Sequence, residues 1–139
     1  MDASVSMDHG MRFAGSANSG HEIVMDAGAS VGGDNSGARP MELILIGLCG
    51  CTAMDVISIL RKKRQSVSGL QVKAHADQNN THPRVFTDIQ LEYIFTGKNI
   101  DPKAVERAIQ LSTERYCPAQ AMLGQVSKMS SIYRIIEEE

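Results

Sequence analysis

The order of predicted elements predicts an α+β fold, because strand-like segments occur on both sides of a long apolar helix and helical segments follow. The helix lies within residues 37–64, where apolar side chains face every direction of a helical projection. The clearest strands are residues 70–77 and 85–96, which alternate apolar with polar side chains. At 139 residues we expect one domain, 1–139, with antiparallel sheets around the central helix.

The residues before the helix predict a hairpin, a third strand and a loop. Apolar side chains alternate around the turn signal at residues 8–10, which are Asp, His and Gly. Residues 21–26 form another strand candidate. Residues 27–38 are rich in Gly, Ser, Asp and Asn and show no periodicity, so we expect a mobile loop that leads into the helix.

The central helix has recognisable ends. Pro40 suits its first turn, Glu42 suits its positive amino end, and the basic run 61–64 suits its negative carboxyl end. About 25 residues correspond to roughly 37 Å of helix. One small sheet cannot enclose so long and so uniformly apolar a helix. We therefore expect an obligate homodimer with the helices between two sheets.

A membrane span is the alternative for this helix, since residues 43–60 are long and apolar enough. Asp55 stands against it, because a carboxylate in a lone lipid-spanning helix costs at least a few kcal/mol and needs a partner. The chain offers no second span to supply one. We expect no membrane association.

The second half predicts a ribbon, two helices and a closing strand. Residues 78–84 read as the tip between the two long strands. Asp101 caps a helix that begins at Pro102 and ends near Tyr116. A shorter helix spans 119 to about 126, and residues 131–136 form the last strand.

Composition restricts the partners and the compartment. A net charge of −2 provides no field for phosphate backbones, so nucleic acid is not an expected partner. The amino-terminal residues carry acids and no apolar segment, so we expect a cytoplasmic, reducing setting. Three cysteines there serve packing, metal binding or thiol chemistry. Eight Met and no Trp suit either a soft apolar pocket or simple gap filling.

The three cysteines differ in position. Cys49 and Cys51 point about 200° apart on the helix, so they cannot form one pair, and spacing alone does not choose the reactive one. That divergence also disfavours a zinc site, and no metal or cofactor is expected. Cys117 precedes Pro118 at a helix start, where free N–H groups and the positive dipole end favour an ionised thiol.

Three motifs carry a resemblance to a known family: Arg39–Leu43, Gly50–Val56 and, far downstream, Tyr116–Pro118. Together they resemble the OsmC/Ohr family, nearest to its OsmC-like branch, sometimes called YhfA-type. The resemblance implies an intertwined α+β homodimer that reduces organic hydroperoxides to alcohols with a thiol. It assigns Cys51 as the peroxidatic cysteine and Cys117 as the resolving cysteine. Cys49 matches neither and is expected to be a packing residue.

The same resemblance implies further roles. An Arg and a Glu activate the thiolate in the family; Arg39 and Glu42 are the nearest matches, Arg12 is a more distant arginine, and Met41 occupies the family glutamate position. We expect Met41, Met54 and Met122 to line the substrate pocket, Asp55 to be engaged by an Arg or Lys, and a dithiol to reduce the Cys51–Cys117 disulfide. The alternative, suggested by Met41, is a dimeric binding protein for an apolar small molecule.

Overall fold

The computed structural model describes residues 1–139 and confirms the α+β fold class. The strands are β1 (Ala3–His9), β2 (Arg12–Ala17), β3 (Glu22–Met25), β4 (Ser66–Gln78), β5 (Phe86–Lys98) and β6 (Lys128–Glu137). The helices are α1 (Pro40–Lys62), α2 (Pro102–Leu111) and α3 (Pro118–Leu123). The chain divides into two compact units, residues 1–45 and 46–139. That they form a single domain stays a prediction.

The first unit contains an antiparallel sheet in the order β1-β2-β3. The predicted hairpin is confirmed, with Met7 opposite Phe13 across β1 and β2. Only Gly15 and Asp26 are buried among residues 1–45, so almost no apolar side chain of this unit is withdrawn from solvent. A three-stranded sheet needs a covered apolar face for stability. Residues 1–45 do not themselves provide that cover.

Asp26 organises the loop that follows β3. Its carboxylate accepts hydrogen bonds from the Ser36 hydroxyl at 2.6 Å and from the backbone N–H groups of Ser36, Asp34 and Ala27. The bonds from Ser36 are the main cause that holds the pKa of Asp26 far below its usual range. Residues 29–31 form a short 3₁₀ turn. The predicted loop is confirmed, and its mobility stays a prediction. The Asp26 carboxylate accepts from several N–H groups of this loop.

Helix α1 begins with a capping contact. Pro40 is its first residue, and the Glu42 carboxylate accepts a 2.7 Å hydrogen bond from the backbone N–H of Arg39. A glutamate in the first turn that reaches back to the cap N–H satisfies a donor the helix leaves free. The predicted start is confirmed, and the predicted end at residue 64 is two residues too late.

Only one face of α1 is buried within the chain. The buried side chains are spaced four residues apart, at Leu48, Thr52, Val56 and Leu60. Large apolar side chains on other faces are open, with Ile46 60% and Met54 74% exposed. By length and composition the helix could cross a membrane, a condition that core helices also meet. In its most apolar stretch of 18 residues, 22% of the residues are buried. One chain therefore does not bury α1 on all sides.

The second unit contains a sheet in the order β4-β5-β6. β4 and β5 form the predicted antiparallel ribbon, and β5 supplies the core through Ile89, Leu91, Tyr93 and Phe95, all at most 1% exposed. β6 pairs with β5 in parallel. The expectation of an entirely antiparallel sheet is wrong here. The helices between β5 and β6 carry the chain back across the sheet, so that β6 runs in the same direction as β5.

Helix α2 leads to the third cysteine through a wider turn than the sequence predicts. Asp101 caps α2 by accepting from the backbone N–H of Lys103 at 2.9 Å. Residues Ser112–Tyr116 then form a π-helical turn, and the backbone N–H of Cys117 donates to the Ser112 carbonyl at 2.8 Å. Such turns often occur at functional sites. This one brings both Ser112 and Cys117 towards α1.

Candidate active site

Two sulfur atoms and one carboxylate meet in the second unit. Cys51 and Asp55 lie one turn apart on α1, and Cys117 is the cap residue of α3. The Cys51 sulfur, the Cys117 sulfur and an Asp55 carboxylate oxygen all lie within 4.8 Å of one another. A disulfide bond is about 2.05 Å long, so the sulfurs must approach by under about 2.8 Å to form one. Cys51 is half-buried and Cys117 is 3% exposed.

The Cys117 thiol is held in its protonated form. Its pKa is raised to about 11, mainly by burial. The Gln120 N–H, which donates to the sulfur at 3.3 Å, lowers the pKa, whereas the adjacent Cys51 and Asp55 contribute to the rise. The expectation of an easily ionised cap thiol is therefore wrong. Desolvation outweighs the helix start in this position. A thiol that keeps its proton can donate a hydrogen bond to its neighbour Cys51.

A buried hydrogen-bonded network supports the site. The Thr52 hydroxyl lies 2.8 Å from both the Tyr93 and Ser112 hydroxyls and accepts from the Gln120 side-chain amide at 3.1 Å. Ser112 in turn donates to Asp55 at 3.0 Å. Thr52, Tyr93 and Ser112 are fully buried. Every buried side-chain polar atom of the chain has a partner.

The network has only one consistent direction. The Ser112 hydroxyl donates to Asp55, and a hydroxyl has only one hydrogen to donate. Ser112 must then accept from Thr52, and Thr52, having used its hydrogen, must accept from Tyr93. The hydroxyls therefore point as a chain from Tyr93 through Thr52 and Ser112 to Asp55. This chain fixes the carboxylate beside the two thiols.

Asp55 has no cationic partner. None of the chain's ion pairs includes it, and its hydrogen-bond donor is the Ser112 hydroxyl. The expectation of an Arg or Lys at Asp55 is wrong for a single chain. The half-buried carboxylate accepts a hydrogen bond from an oriented hydroxyl instead.

The remaining predicted site residues have other surroundings. Cys49 is half-buried, and burial raises its pKa. Arg39 donates its guanidinium to the Gly37 carbonyl at 3.0 Å, and Glu42 forms the capping contact with Arg39. Met54 lines a groove next to Asp55. Met41 and Met122 are 39% and 69% exposed. The roles of these residues at the thiols stay predictions.

The sequence did not single out Thr52, Tyr93, Ser112 or Gln120 as site residues. One signal was available: Thr52 is a polar residue inside an otherwise apolar stretch, and a buried hydroxyl requires a partner. Its partners are 41, 60 and 68 residues away, so no local pattern identifies them.

Cys51, Asp55 and Cys117 also form the chain's one cluster with metal-ligand spacing. The divergence of Cys49 and Cys51 on α1 does not bear on this cluster, because Cys49 is not part of it. Structural zinc sites use four protein ligands, and this cluster offers three: two sulfurs and one carboxylate. It is therefore one ligand short of a structural zinc site.

Comparison with known proteins identifies the family. The model of the OsmC-like protein family matches residues 33–131. The chain belongs to the OsmC-like family. Protein YhfA of Escherichia coli strain K12 is 39% identical over 136 residues, which is 98% of each chain. The predicted membership of this family, next to YhfA, is confirmed.

Solved structures show the OsmC-like fold over nearly the whole chain. A hypothetical protein of Aquifex aeolicus VF5 is 28% identical with a TM-score of 0.87, covering 99% of this chain and 97% of that one. An organic hydroperoxide resistance protein OsmC of Legionella pneumophila has a TM-score of 0.68 at 12% identity, covering 95% and 94%. The second likeness shows the fold alone. Helix α1 is therefore part of the fold common to these proteins.

Proposed function

We propose that the protein is a thiol-dependent peroxidase that reduces organic hydroperoxides to alcohols through Cys51 and Cys117. The observation that supports it is the approach of the two sulfurs to within 4.8 Å beside a carboxylate. The family membership and the Legionella protein named for organic hydroperoxide resistance agree with this activity. Of the three cysteines, Cys49 is outside the cluster and serves packing.

The first step oxidises Cys51. Asp55 accepts the Cys51 proton as the sulfur attacks the distal peroxide oxygen. A sulfur–oxygen bond forms, the oxygen–oxygen bond breaks, and the leaving alkoxide takes that proton to become the alcohol. Within one chain, proton transfer to an oriented carboxylate activates Cys51 without a cation. The Tyr93-to-Asp55 hydroxyl chain holds this carboxylate in position.

The second step uses Cys117. Its thiol attacks the Cys51 sulfenic acid, a disulfide forms and water leaves. An external dithiol then reduces the disulfide and is itself oxidised to a disulfide, which returns both cysteines to thiols. Cys117 remains protonated until this step because its pKa is about 11. Cys51 is thus the attacking sulfur in the first step.

The active assembly is a homodimer. Every apolar side chain of residues 1–45 is half-buried or exposed, and Ile46 on α1 is 60% exposed. A Cβ added at Gly47 or Gly50 would meet nothing within 4 Å of this chain. Two glycines on one open apolar helix allow close approach of another helix. A second copy of the chain is the cover that fits both surfaces.

A dimer also allows Arg39 and Glu42 to act on the reactive thiols. In one chain the Glu42 carboxylate accepts from the Arg39 backbone N–H, and the Arg39 guanidinium donates to the Gly37 carbonyl. In the dimer, Arg39 and Glu42 of one subunit activate the thiols of the partner subunit. Met41 and Met54 form the apolar wall of the substrate pocket. The protein acts in the cytoplasm, where a dithiol is available for each turnover.

The test is peroxide consumption with dihydrolipoamide or dithiothreitol as the reductant. We expect turnover of tert-butyl and cumene hydroperoxide, its loss in Cys51→Ser, and its retention in the matched control Cys49→Ser. Cys117→Ser should allow a single oxidation and block the disulfide. If the parent consumes no hydroperoxide and matches Cys51→Ser, the peroxidase is rejected. That result would leave the binding protein for an apolar small molecule as the alternative function, to be tested by ligand binding.

A further inference from the structure

The ligand atoms of Cys51, Asp55 and Cys117 are close to the separations that one metal ion requires. Zinc binds a thiolate sulfur at about 2.3 Å and a carboxylate oxygen at about 2.0–2.2 Å in a tetrahedral arrangement. Two ligand atoms at those distances lie roughly 3.6 to 3.8 Å apart. In this chain the two sulfurs and the carboxylate oxygen all lie within 4.8 Å of one another. A contraction of about 1.2 Å or less would therefore bring all three onto one zinc ion.

Two of the three ligands are supported by hydrogen bonds from behind. The Ser112 hydroxyl donates to the Asp55 carboxylate at 3.0 Å, and the Gln120 backbone N–H donates to the Cys117 sulfur at 3.3 Å. A carboxylate can accept from Ser112 and still bind a metal ion, because its two oxygens have several lone pairs. Donors in such positions orient metal ligands and strengthen metal binding. The cluster thus has the supporting contacts that metal sites use.

The charge of the cluster also favours a divalent cation. Asp55 has no partner among the chain's ion pairs, and it lies beside two sulfurs that can each become anionic. The proton that Cys117 holds does not prevent binding, because a metal ion deprotonates a coordinating thiol outright. Thiolates are soft ligands that select zinc over magnesium and calcium. The chemistry of the cluster therefore points to zinc.

We propose that the reduced protein binds one zinc ion through Cys51, Asp55 and Cys117, with water as the fourth ligand, as in other sites with three protein ligands. Both thiols lose their protons to the solvent when the ion binds. The disulfide uses the same two sulfurs, so zinc and the disulfide exclude each other. Zinc is therefore an inhibitor of the peroxidase proposed above, on which this last step rests. It occupies both the attacking sulfur and the carboxylate that accepts its proton.

The binding test titrates the reduced protein, freed of reductant under anaerobic conditions, with Co²⁺ as a spectroscopic substitute and then with Zn²⁺. We expect one ion per chain, a thiolate-to-cobalt charge-transfer band, and loss of that band when zinc, but not Mg²⁺, displaces cobalt. Cys51→Ser, Cys117→Ser and Asp55→Asn should each lower zinc affinity roughly 10- to 100-fold or more, since even the loss of a supporting contact costs that much. A chelating dye that competes for zinc measures the affinity.

The matched controls are Cys49→Ser, on the same helix, and the exposed Asp88→Asn, and both should keep the parent affinity. Equal affinity in Asp55→Asn and Asp88→Asn would overturn the three-ligand site. An equal loss in Cys49→Ser and Cys51→Ser would overturn it too. The parent alone gives a second readout that depends on no variant: Zn²⁺ should protect Cys51 from iodoacetamide and leave the alkylation of Cys49 unchanged. Equal alkylation of Cys51 with and without zinc would contradict the site.

Inhibition is measured in a single turnover with one equivalent of cumene hydroperoxide, which avoids a dithiol that would itself chelate zinc. We expect saturating Zn²⁺ to prevent the cross-link between Cys51 and Cys117, and a chelator to restore it. Cross-linking at the parent rate with zinc bound would overturn the inhibition. Zinc binding by a protein that consumes no hydroperoxide supports the site and rejects only the peroxidase. Hydroperoxide consumption by a protein that binds no zinc overturns the site and leaves the peroxidase.

Discussion

Thr52→Val removes the hydroxyl at the centre of the buried network and preserves the shape of the side chain. The Tyr93 hydroxyl and the Gln120 amide then lose the acceptor they share, and Ser112 loses its donor. A buried donor left unpaired costs about 1–3 kcal/mol. Two such donors, less the small gain from a buried methyl group, amount to a loss of about 3 kcal/mol. That is a large part of the about 5–15 kcal/mol that stabilises a typical domain.

The assay is urea unfolding followed by far-ultraviolet circular dichroism, at one protein concentration and with reductant present. Thr113→Val is the matched control, because Thr113 is exposed in the same π-helical turn as Ser112, and we expect a change within about 0.5 kcal/mol. Thr52→Ser keeps the hydroxyl and should recover most of the loss. A Thr52→Val protein within about 0.5 kcal/mol of the parent would refute the assigned network.

Three further predictions follow from the same contacts. Asp55→Asn should lower kcat/KM for tert-butyl hydroperoxide by roughly 100-fold, the size of a lost general base, with Asp88→Asn as the unaffected control. Cys117, whose pKa is about 11, should react with iodoacetamide mainly above pH 9, as read by mass spectrometry. Because the native state holds that proton more tightly than the unfolded chain, stability should fall from pH 9 to 11 in the parent and less in Cys117→Ser. Ile46→Glu should give monomers by analytical ultracentrifugation, and an unchanged dimer would contradict the proposed interface.

Local patterns account for most of the fold that the sequence predicts. Pro40 and Asp101 mark helix starts through properties of single residues, and the alternation in β5 requires only neighbours along the strand. The parallel pairing of β6 depends instead on the path of the chain between two strands. The order of the loop after β3 depends on one buried carboxylate, Asp26, whose partners are up to ten residues away.

The site was predictable in part for the same reason. Cys51 and Cys117 follow from short motifs, whereas their separation depends on the π-helical turn between α2 and α3. The ionisation of Cys117 was predicted in the wrong direction, because a helix start is visible in sequence and burial is not. Asp55 was expected to need a cation; Ser112, 57 residues away, supplies a hydroxyl instead.

The most direct measurement is the mass spectrum of the protein after one equivalent of cumene hydroperoxide, digested under conditions that preserve disulfides. The account predicts one new cross-link, joining the peptides that contain residues 51 and 117, with Cys49 still a free thiol. Over-oxidation of Cys51 without any cross-link to Cys117, or a cross-link that involves Cys49, would contradict it.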